Sequence, residues 1–250
     1  DEPFIALNLT DKERSVITKV YNEINTRFPN LKIILANYFD CFGENLETVL
    51  ALPVDTLHLD LVRCELQLND ILDSGKLASN VHLSLGVVDG RNIWKNDFKK
   101  SLELIKKAVV AVGENRVLIA PSCSLIHSPC DLELETNDQT LTPEIKQWLA
   151  FAKQKINEIV LLKQFASGEV DIKNSPDYER NVMANENRKT SKLIHNSKVK
   201  ERVAAITASD DKRKSTFAKR RKSQIEALNL PLFPTTTIGS FPQTAEVRSW

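Results

Sequence analysis

Apolar residues recur along the chain in two alternating rhythms. Val16, Ile17, Val20, Tyr21 and Ile24 fall at spacings of three and four, which predicts an amphipathic helix over 11–27 with Asp11 as its cap. A short apolar run at 31–36, interrupted only by Lys32 and following Phe28-Pro29-Asn30, predicts a buried strand. The alternation then repeats. A short helix at 45–52 stops at Pro53, and a strand follows at 57–61. A helix at 66–72 is closed by Ser74-Gly75, and a strand follows at 81–86. Asp97 caps a helix that runs to Val112 and ends at Gly113, before a strand at 116–120. A long loop, 121–141, leads to Thr142-Pro143-Glu144. This sequence opens a helix to Phe165, with Pro in the first turn where it is tolerated.

Strand and helix thus alternate every 25–30 residues. The strands are short and apolar with no clean alternation, as in a parallel sheet covered on both faces. The fold class is α/β, either a (β/α)8 barrel or a doubly wound sheet. A barrel takes about 250 residues, so the four strands before residue 165 make half of one. Asp1-Glu2-Pro3 would be the loop beyond an earlier strand. After Gly168 only helical periodicity remains, over 175–227. The run Leu230-Pro231-Leu232-Phe233-Pro234 breaks it, and Thr235-Thr236-Thr237-Ile238-Gly239-Ser240 reads as a strand entering a turn, the first of a second domain. The chain opens without Met, its single Met is Met183, and both ends read as cuts in something longer.

With 250 residues, 42% of them hydrophobic and 27% charged, the chain has the composition of a globular protein rather than a disordered or collagen-like one. No apolar run approaches the roughly 20 residues of a membrane-spanning helix. The net charge of +1 conceals an asymmetry. Residues 1–187 carry 20 basic and 28 acidic side chains, a net −8, whereas residues 188–222 carry 13 basic and 3 acidic, a net +10. Two readings of that basic segment are open. It is a nucleic-acid arm, or a set of helices lying against an acidic surface of the same molecule. The second is favoured, because Phe217 is the one aromatic residue among the charges. Four cysteines, Cys41, Cys64, Cys123 and Cys130, make no disulfide scaffold and are expected as reduced thiols.

Four places could carry chemistry. Cys123, His127 and Cys130, with Asp131 adjacent, are zinc-ligand types within one loop. Their spacing matches no standard pair, and a loop that satisfies its own polar groups is the commoner outcome. His58 and His82 sit at apolar strand positions, with Asp60 and Arg63 following His58. Such residues line a barrel's mouth or are hydrogen-bonded interior histidines. The turn Gly86 to Asn92 could offer N–H groups to an anion, or form a tight connection in which Asp89 and Arg91 lock each other. In Thr237-Ile238-Gly239-Ser240, a small residue after a buried strand would let a ligand approach the backbone.

Six segments in order carry a resemblance. They are Ala51-Leu52-Pro53-Val54, Leu57-His58-Leu59-Asp60-Leu61-Val62, Gly90-Arg91-Asn92-Ile93-Trp94, Ser122-Cys123-Ser124-Leu125-Ile126-His127-Ser128-Pro129, Lys200-Glu201-Arg202-Val203-Ala204-Ala205-Ile206-Thr207, and Phe233-Pro234-Thr235-Thr236-Thr237-Ile238-Gly239-Ser240-Phe241-Pro242-Gln243-Thr244. Across essentially the whole chain the sequence resembles the cobalamin-independent methionine synthase family. The resemblance implies two (β/α)8 barrels joined by a helical connector. On that reading 1–167 is the second half of the N-terminal barrel, 168–230 the connector, and 231–250 the first strand of the C-terminal catalytic barrel.

The implied activity is a cytoplasmic methyltransferase of methionine biosynthesis. It moves the methyl of 5-methyltetrahydropteroyltriglutamate, a folate, to homocysteine, without cobalamin and with zinc holding the homocysteine sulfur as thiolate. The zinc ligands and the catalytic acid would lie in the missing barrel, so no catalytic or metal residue is expected in this window, and the isolated chain is expected to be inactive. Ile238, Gly239 and Ser240 match the family's segment for the amino-acid part of homocysteine or methionine. The full-length protein is expected to be monomeric, with neither nucleic-acid nor membrane partners. The alternatives are a non-catalytic supporting domain and a basic-helix nucleic-acid-binding module.

Overall fold

The computed structural model describes residues 1–235 and 244–249. At its centre β1 (Ile34–Ala36), β2 (Thr56–Asp60), β3 (His82–Val88) and β4 (Val117–Pro121) lie side by side in chain order, every pair parallel. Parallel neighbours need a crossover, and helices supply them. Helix α1 (Asp11–Arg27) precedes β1, α2 (Leu46–Leu50) and α3 (Gln67–Ser74) follow β1 and β2, and α4 (Phe98–Val112) follows β3. After β4 come α5 (Pro143–Lys146), α6 (Ala152–Ala166) and α7 (Pro176–Thr190). All of β2, and β3 after its first residue, are buried, as expected of parallel strands covered on both faces. The α/β class is therefore as expected, and a sequentially ordered parallel sheet flanked by helices is consistent with part of a (β/α)8 barrel.

Two local differences from the expected elements have physical causes. Helix α1 is capped by Thr10 rather than Asp11. Glu13 N donates to Thr10 Oγ1 at 3.4 Å, and Thr10 N donates to Glu13 Oε2 at 2.7 Å, a reciprocal capping box. Asp97 does cap α4, accepting from Lys100 N at 3.3 Å. The single helix expected from 142 is broken between α5 and α6. There the backbone pairs elsewhere, with Lys95 N donating to Trp148 O at 2.8 Å and Ala150 N to Ile93 O at 2.9 Å. Burial of Trp148, Leu149, Ala150 and Phe151 holds the break in place.

The same break closes a lobe. Ala152 N and Lys153 N donate to the carbonyls of Pro129 and Cys130 at 2.8 and 2.9 Å, and Gln154 Oε1 accepts from Leu132 N at 3.1 Å. The two ends of the intervening segment therefore lie next to each other.

The chain divides into two compact units, Asp1–Ile194 and His195–Trp250. Helix α7 belongs to the first and seats on it through amides and aromatic rings. Tyr178 meets Phe165 edge-on at 5.7 Å, and Phe165 meets Phe98 at 5.7 Å. Asn181 Nδ2 and Asn185 Nδ2 donate to Asn96 O at 2.8 and 3.0 Å, and Phe98 N donates to Asn181 Oδ1 at 3.2 Å. The ion pairs Arg180–Asp177 and Lys189–Glu186 lie within α7 itself. Amides and rings thus carry much of the seating of this first helix of 175–227, beside the Arg188 cation over the Trp94 ring at 3.7 Å and the attraction between Lys189 and Asp97. The second unit contains α8 (Ser197–Ala204), α9 (Phe217–Leu228) and α10 (Ala245–Arg248). Apart from Thr235, which is in no regular element, the expected strand at 235–240 lies outside the described residues, and with it Ile238, Gly239 and Ser240.

Candidate functional site

The C-terminal ends of β1, β2 and β3 gather the polar residues that the sequence singles out. Asp60 ends β2 and is 3% exposed. Its carboxylate accepts from the backbone N–H groups of Phe39 at 2.9 Å, Val62 at 3.1 Å and Arg63 at 3.0 Å. These bonds satisfy a buried charge and bind the loop after β1 to the loop after β2. Phe39 is held there at φ 77°, a left-handed conformation uncommon outside glycine. Arg91 lies over its ring at 4.7 Å.

His58 lies deeper and is buried. Its Nε2 is 3.2 Å from the Ser122 carbonyl, which can only accept, so Nε2 carries the hydrogen. Its Nδ1, 2.9 Å from Ser84 Oγ, then accepts from the hydroxyl. Burial lowers the imidazole pKa, against the opposing pull of the Ser122 carbonyl and the Asp60 carboxylate. The ring is a neutral interior histidine with both nitrogens used. His82 does not join it. It opens β3, pairs in register with Thr56 at the other end of the sheet, and has its Nδ1 3.2 Å from Asp55 O. Both histidines are hydrogen-bonded, the favoured of the two readings for His58 and His82, and His82 lies at the end of the sheet away from Asp60.

The turn after β3 is internally bonded. Asp89 accepts from Arg63 Nη1 at 3.0 Å, Arg91 N at 2.8 Å and Asn92 Nδ2 at 2.8 Å, while Gly90 N donates to Ser122 Oγ at 3.1 Å. The lock is therefore between Asp89 and Arg63, and the Gly90 and Arg91 N–H groups are not free for an anion. Glycine is required at 90 because a Cβ there would lie 2.7 Å from Cys123 O and 3.0 Å from its Sγ.

Cys123, His127 and Cys130 do not converge. Cys123 is buried, burial pushes its thiol pKa up, and Cys130 is exposed. Among the described residues no three His, Cys, Asp or Glu side chains are placed to hold an ion. The expectation of four reduced thiols is corrected for two of them. Cys41 and Cys64 form a disulfide with Cα atoms 5.3 Å apart, within the usual range. Adjacent parallel strands explain it. Ala36 pairs with His58, so the chain leaves β1 and β2 side by side and carries the two cysteines with it.

A second polar cluster escaped the sequence reading. Lys155 and Glu158 occupy buried positions of α6 in line with Leu162 and Phe165. Lys155 Nζ donates to Asn92 Oδ1 and Trp94 O, both at 3.1 Å, and Glu158 Oε1 accepts from Asn96 N at 2.9 Å. Burial raises the Glu158 pKa to about 7, opposed by the Asn96 N–H, Lys155 and Lys95. Arg188 of α7 lies 3.7 Å over the Trp94 ring. Two charged residues on an otherwise apolar helical stripe were the available signal.

Residues 1–112 match the family described as the cobalamin-independent synthase, N-terminal domain. Over its whole length the chain is 87% identical to a 5-methyltetrahydropteroyltriglutamate–homocysteine methyltransferase of Flavobacterium johnsoniae, of which it covers 32%. It is 53% identical over 249 residues to the enzyme of that name from Cytophaga hutchinsonii, covering 32%, and 46% identical over 249 residues to that from Caulobacter vibrioides, covering 31%. The chain thus spans about a third of the length of the curated relatives it matches. Residues 1–112 thus match the N-terminal domain of the cobalamin-independent synthases, and the whole chain is similar, end to end, to about a third of each of these methyltransferases.

Proposed function

We propose that this chain is the structural half of an N-terminal barrel, with its connector, in an enzyme that transfers the methyl group of 5-methyltetrahydropteroyltriglutamate to homocysteine without cobalamin, giving methionine. The observation that carries this reading is the 87% identity along all 250 residues to a methyltransferase of that name. The site geometry supports a supporting rather than a reacting role. Asp60, His58 and Asp89 spend their polar atoms on backbone, Ser84, Ser122 and Arg63, which fixes three loop starts at the mouth and leaves none of these three groups paired with a nucleophile among the described residues. The zinc that the resemblance implies does not fit the described residues, because Cys123, His127 and Cys130 are not gathered around one point, so no step is assigned to a metal here.

Placement is what this segment contributes. Methyl transfer needs sulfur and methyl donor held in line, and fixed geometry can supply much of the barrier reduction. The division of the chain is 1–167 for the half barrel, 168–230 for the connector and 231–250 for the opening strand of the catalytic barrel. In that strand's turn, Ile238, Gly239 and Ser240 hold the amino-acid end of homocysteine, the Ser240 hydroxyl donating to its carboxylate. The protein works in the cytoplasm as a monomer.

The test uses the complete enzyme, with each substrate titrated separately. Ser240→Ala removes a hydrogen bond to a charged group, worth about 1.5–3 kcal/mol, so homocysteine should bind roughly ten- to a hundredfold more weakly while folate affinity holds. Unchanged homocysteine affinity with weakened folate binding would overturn the assignment. Failure of the complete wild-type protein to form methionine from these substrates without cobalamin would overturn the function.

A further inference from the structure

The loops after β1 and β2 are tied twice over, once by hydrogen bonds and once by sulfur. Phe39 N donates to Asp60 Oδ2 at 2.9 Å, Phe42 N to Gln67 Oε1 at 2.5 Å, and the Phe42 side chain is 1% exposed. These contacts position Cys41, between Phe39 and Phe42, without help from the cross-link. Opening the disulfide would therefore leave the two sulfurs facing each other. The pair is also unequal. Cys64 is 5% exposed, beneath the loop, whereas Cys41 is half-buried and reachable from solvent. Of the other two cysteines, Cys123 is buried and Cys130 is exposed with no cysteine partner.

We propose that Cys41 and Cys64 form a reversible dithiol–disulfide site at the mouth of the sheet, oxidised by a small disulfide and reopened by the corresponding thiol, with Cys41 as the exchanging sulfur and Cys64 as the resolving one. In the closing direction the Cys41 thiolate attacks one sulfur of the external disulfide and expels one thiolate, which leaves a mixed disulfide on Cys41. The Cys64 thiolate then attacks the Cys41 sulfur and expels the second. Two protein thiols lose two electrons and two protons, and the external disulfide gains both as two thiols. Opening is the reverse, beginning at Cys41 because that sulfur is the accessible one. The closed form clamps the loop carrying Tyr38, whose ring stands edge-on to His58 at 5.5 Å, and Phe39 under Arg91. The open form keeps the hydrogen bonds and loses the clamp.

The test equilibrates the full 250-residue chain in mixtures of oxidised and reduced glutathione, traps thiols with an alkylating reagent, and reads the peptides by mass spectrometry. The Cys41–Cys64 cross-link should interconvert with the doubly alkylated pair, as a two-electron transition, while the protein stays folded by circular dichroism. Cys64→Ser should accumulate glutathione on Cys41, and Cys41→Ser should leave Cys64 unmodified under the same conditions. Chymotryptic cleavage after Tyr38 or Phe39 should be several-fold faster in the reduced protein. A cross-link that opens only on unfolding would overturn the proposal, as would thiols that never close at any glutathione ratio. Glutathione appearing on Cys64 in place of Cys41 would overturn the order of attack, and equal cleavage in both states would overturn the clamp.

Discussion

Replacing Asn181 by Ala should loosen the seating of α7, and the cost can be worked from two contacts. Asn181 is 4% exposed. Its Oδ1 accepts from Phe98 N, one of the N–H groups that the first turn of α4 cannot satisfy internally, and the Asp97 cap serves Lys100 N instead. The alanine variant therefore orphans a buried N–H, which costs about 1–3 kcal/mol. It also deletes the donor to Asn96 O, but Asn185 Nδ2 still bonds that carbonyl at 3.0 Å. This second loss is an ordinary hydrogen bond of about 0.5–1.5 kcal/mol. The total is about 1.5–4.5 kcal/mol, and Asn185→Ala should cost only about 1 kcal/mol because Asn181 keeps Asn96 O paired. Urea unfolding followed by tryptophan fluorescence is the assay, since Trp94 lies under Arg188 and Trp148 Nε1 donates to Asn187 Oδ1 at 2.7 Å. The loss should be the same at low and high salt, because amide bonds are not screened as exposed ion pairs are over about 8–10 Å. A cost for Asn181→Ala below about 1 kcal/mol, or one that changes by more than half with salt, would refute neutral seating and restore the charge-based one.

Gly86→Ala should destabilise strongly, because a Cβ there would lie 2.6 Å from Leu59 O and 2.8 Å from Ser122 Cα, both backbone atoms. Overpacking of this kind costs about 1–3 kcal/mol, or a fall in Tm of roughly 2–12 °C for a chain this long, and an unchanged melting curve would contradict the packing described. Glu158 should make stability depend on pH in a defined direction. Its folded pKa, about 7, is above the ordinary 4.5, so its contribution is fully present below about pH 4.5 and lost as pH rises through about 7. The difference is on the order of 3 kcal/mol, and chemical denaturation of Glu158→Gln across that range should lack this component of the slope. Metal analysis of the dialysed chain should find no stoichiometric zinc, and an activity assay no methyl transfer. One zinc per chain that is lost in Cys123→Ser would show that the loop gathers a site.

What could be read in the sequence divides by range of interaction. The strands at 34–36, 56–60, 82–88 and 117–121 were legible because each is a short stretch rich in Leu, Ile and Val set off by helical periodicity on either side. The likeness to the cobalamin-independent methionine synthases was legible because long motifs stand in order along the chain. The Thr10 cap was also legible, since Thr10 and Glu13 stand at capping-box spacing, but the acidic Asp11 next to Thr10 is an equally ordinary cap by type. The break between α5 and α6 was not, because its cause is pairing of Ala150 with Ile93, far back in the chain. Nor was the bond between Cys41 and Cys64. Their separation of 23 residues means nothing until the register of β1 on β2 is known. His58 and His82 illustrate the same limit. Both sit at apolar strand positions, and the register reveals that His82 begins its strand opposite Thr56 while His58, at the middle of its own, lies opposite Ser84.

The lobe closed by Pro129, Cys130, Ala152 and Lys153 has a use outside catalysis. Because its two ends are fastened backbone to backbone, a change in the length of what lies between transmits little to the sheet. Doubling such a loop adds only about 0.6 kcal/mol of closure entropy. Its tip, Asn137 to Gln139, is exposed. An epitope, a peptide ligand or a small reporter domain grafted there would hang from a fixed base, and the same base would let evolution lengthen or shorten this segment while the barrel wall stays as it is.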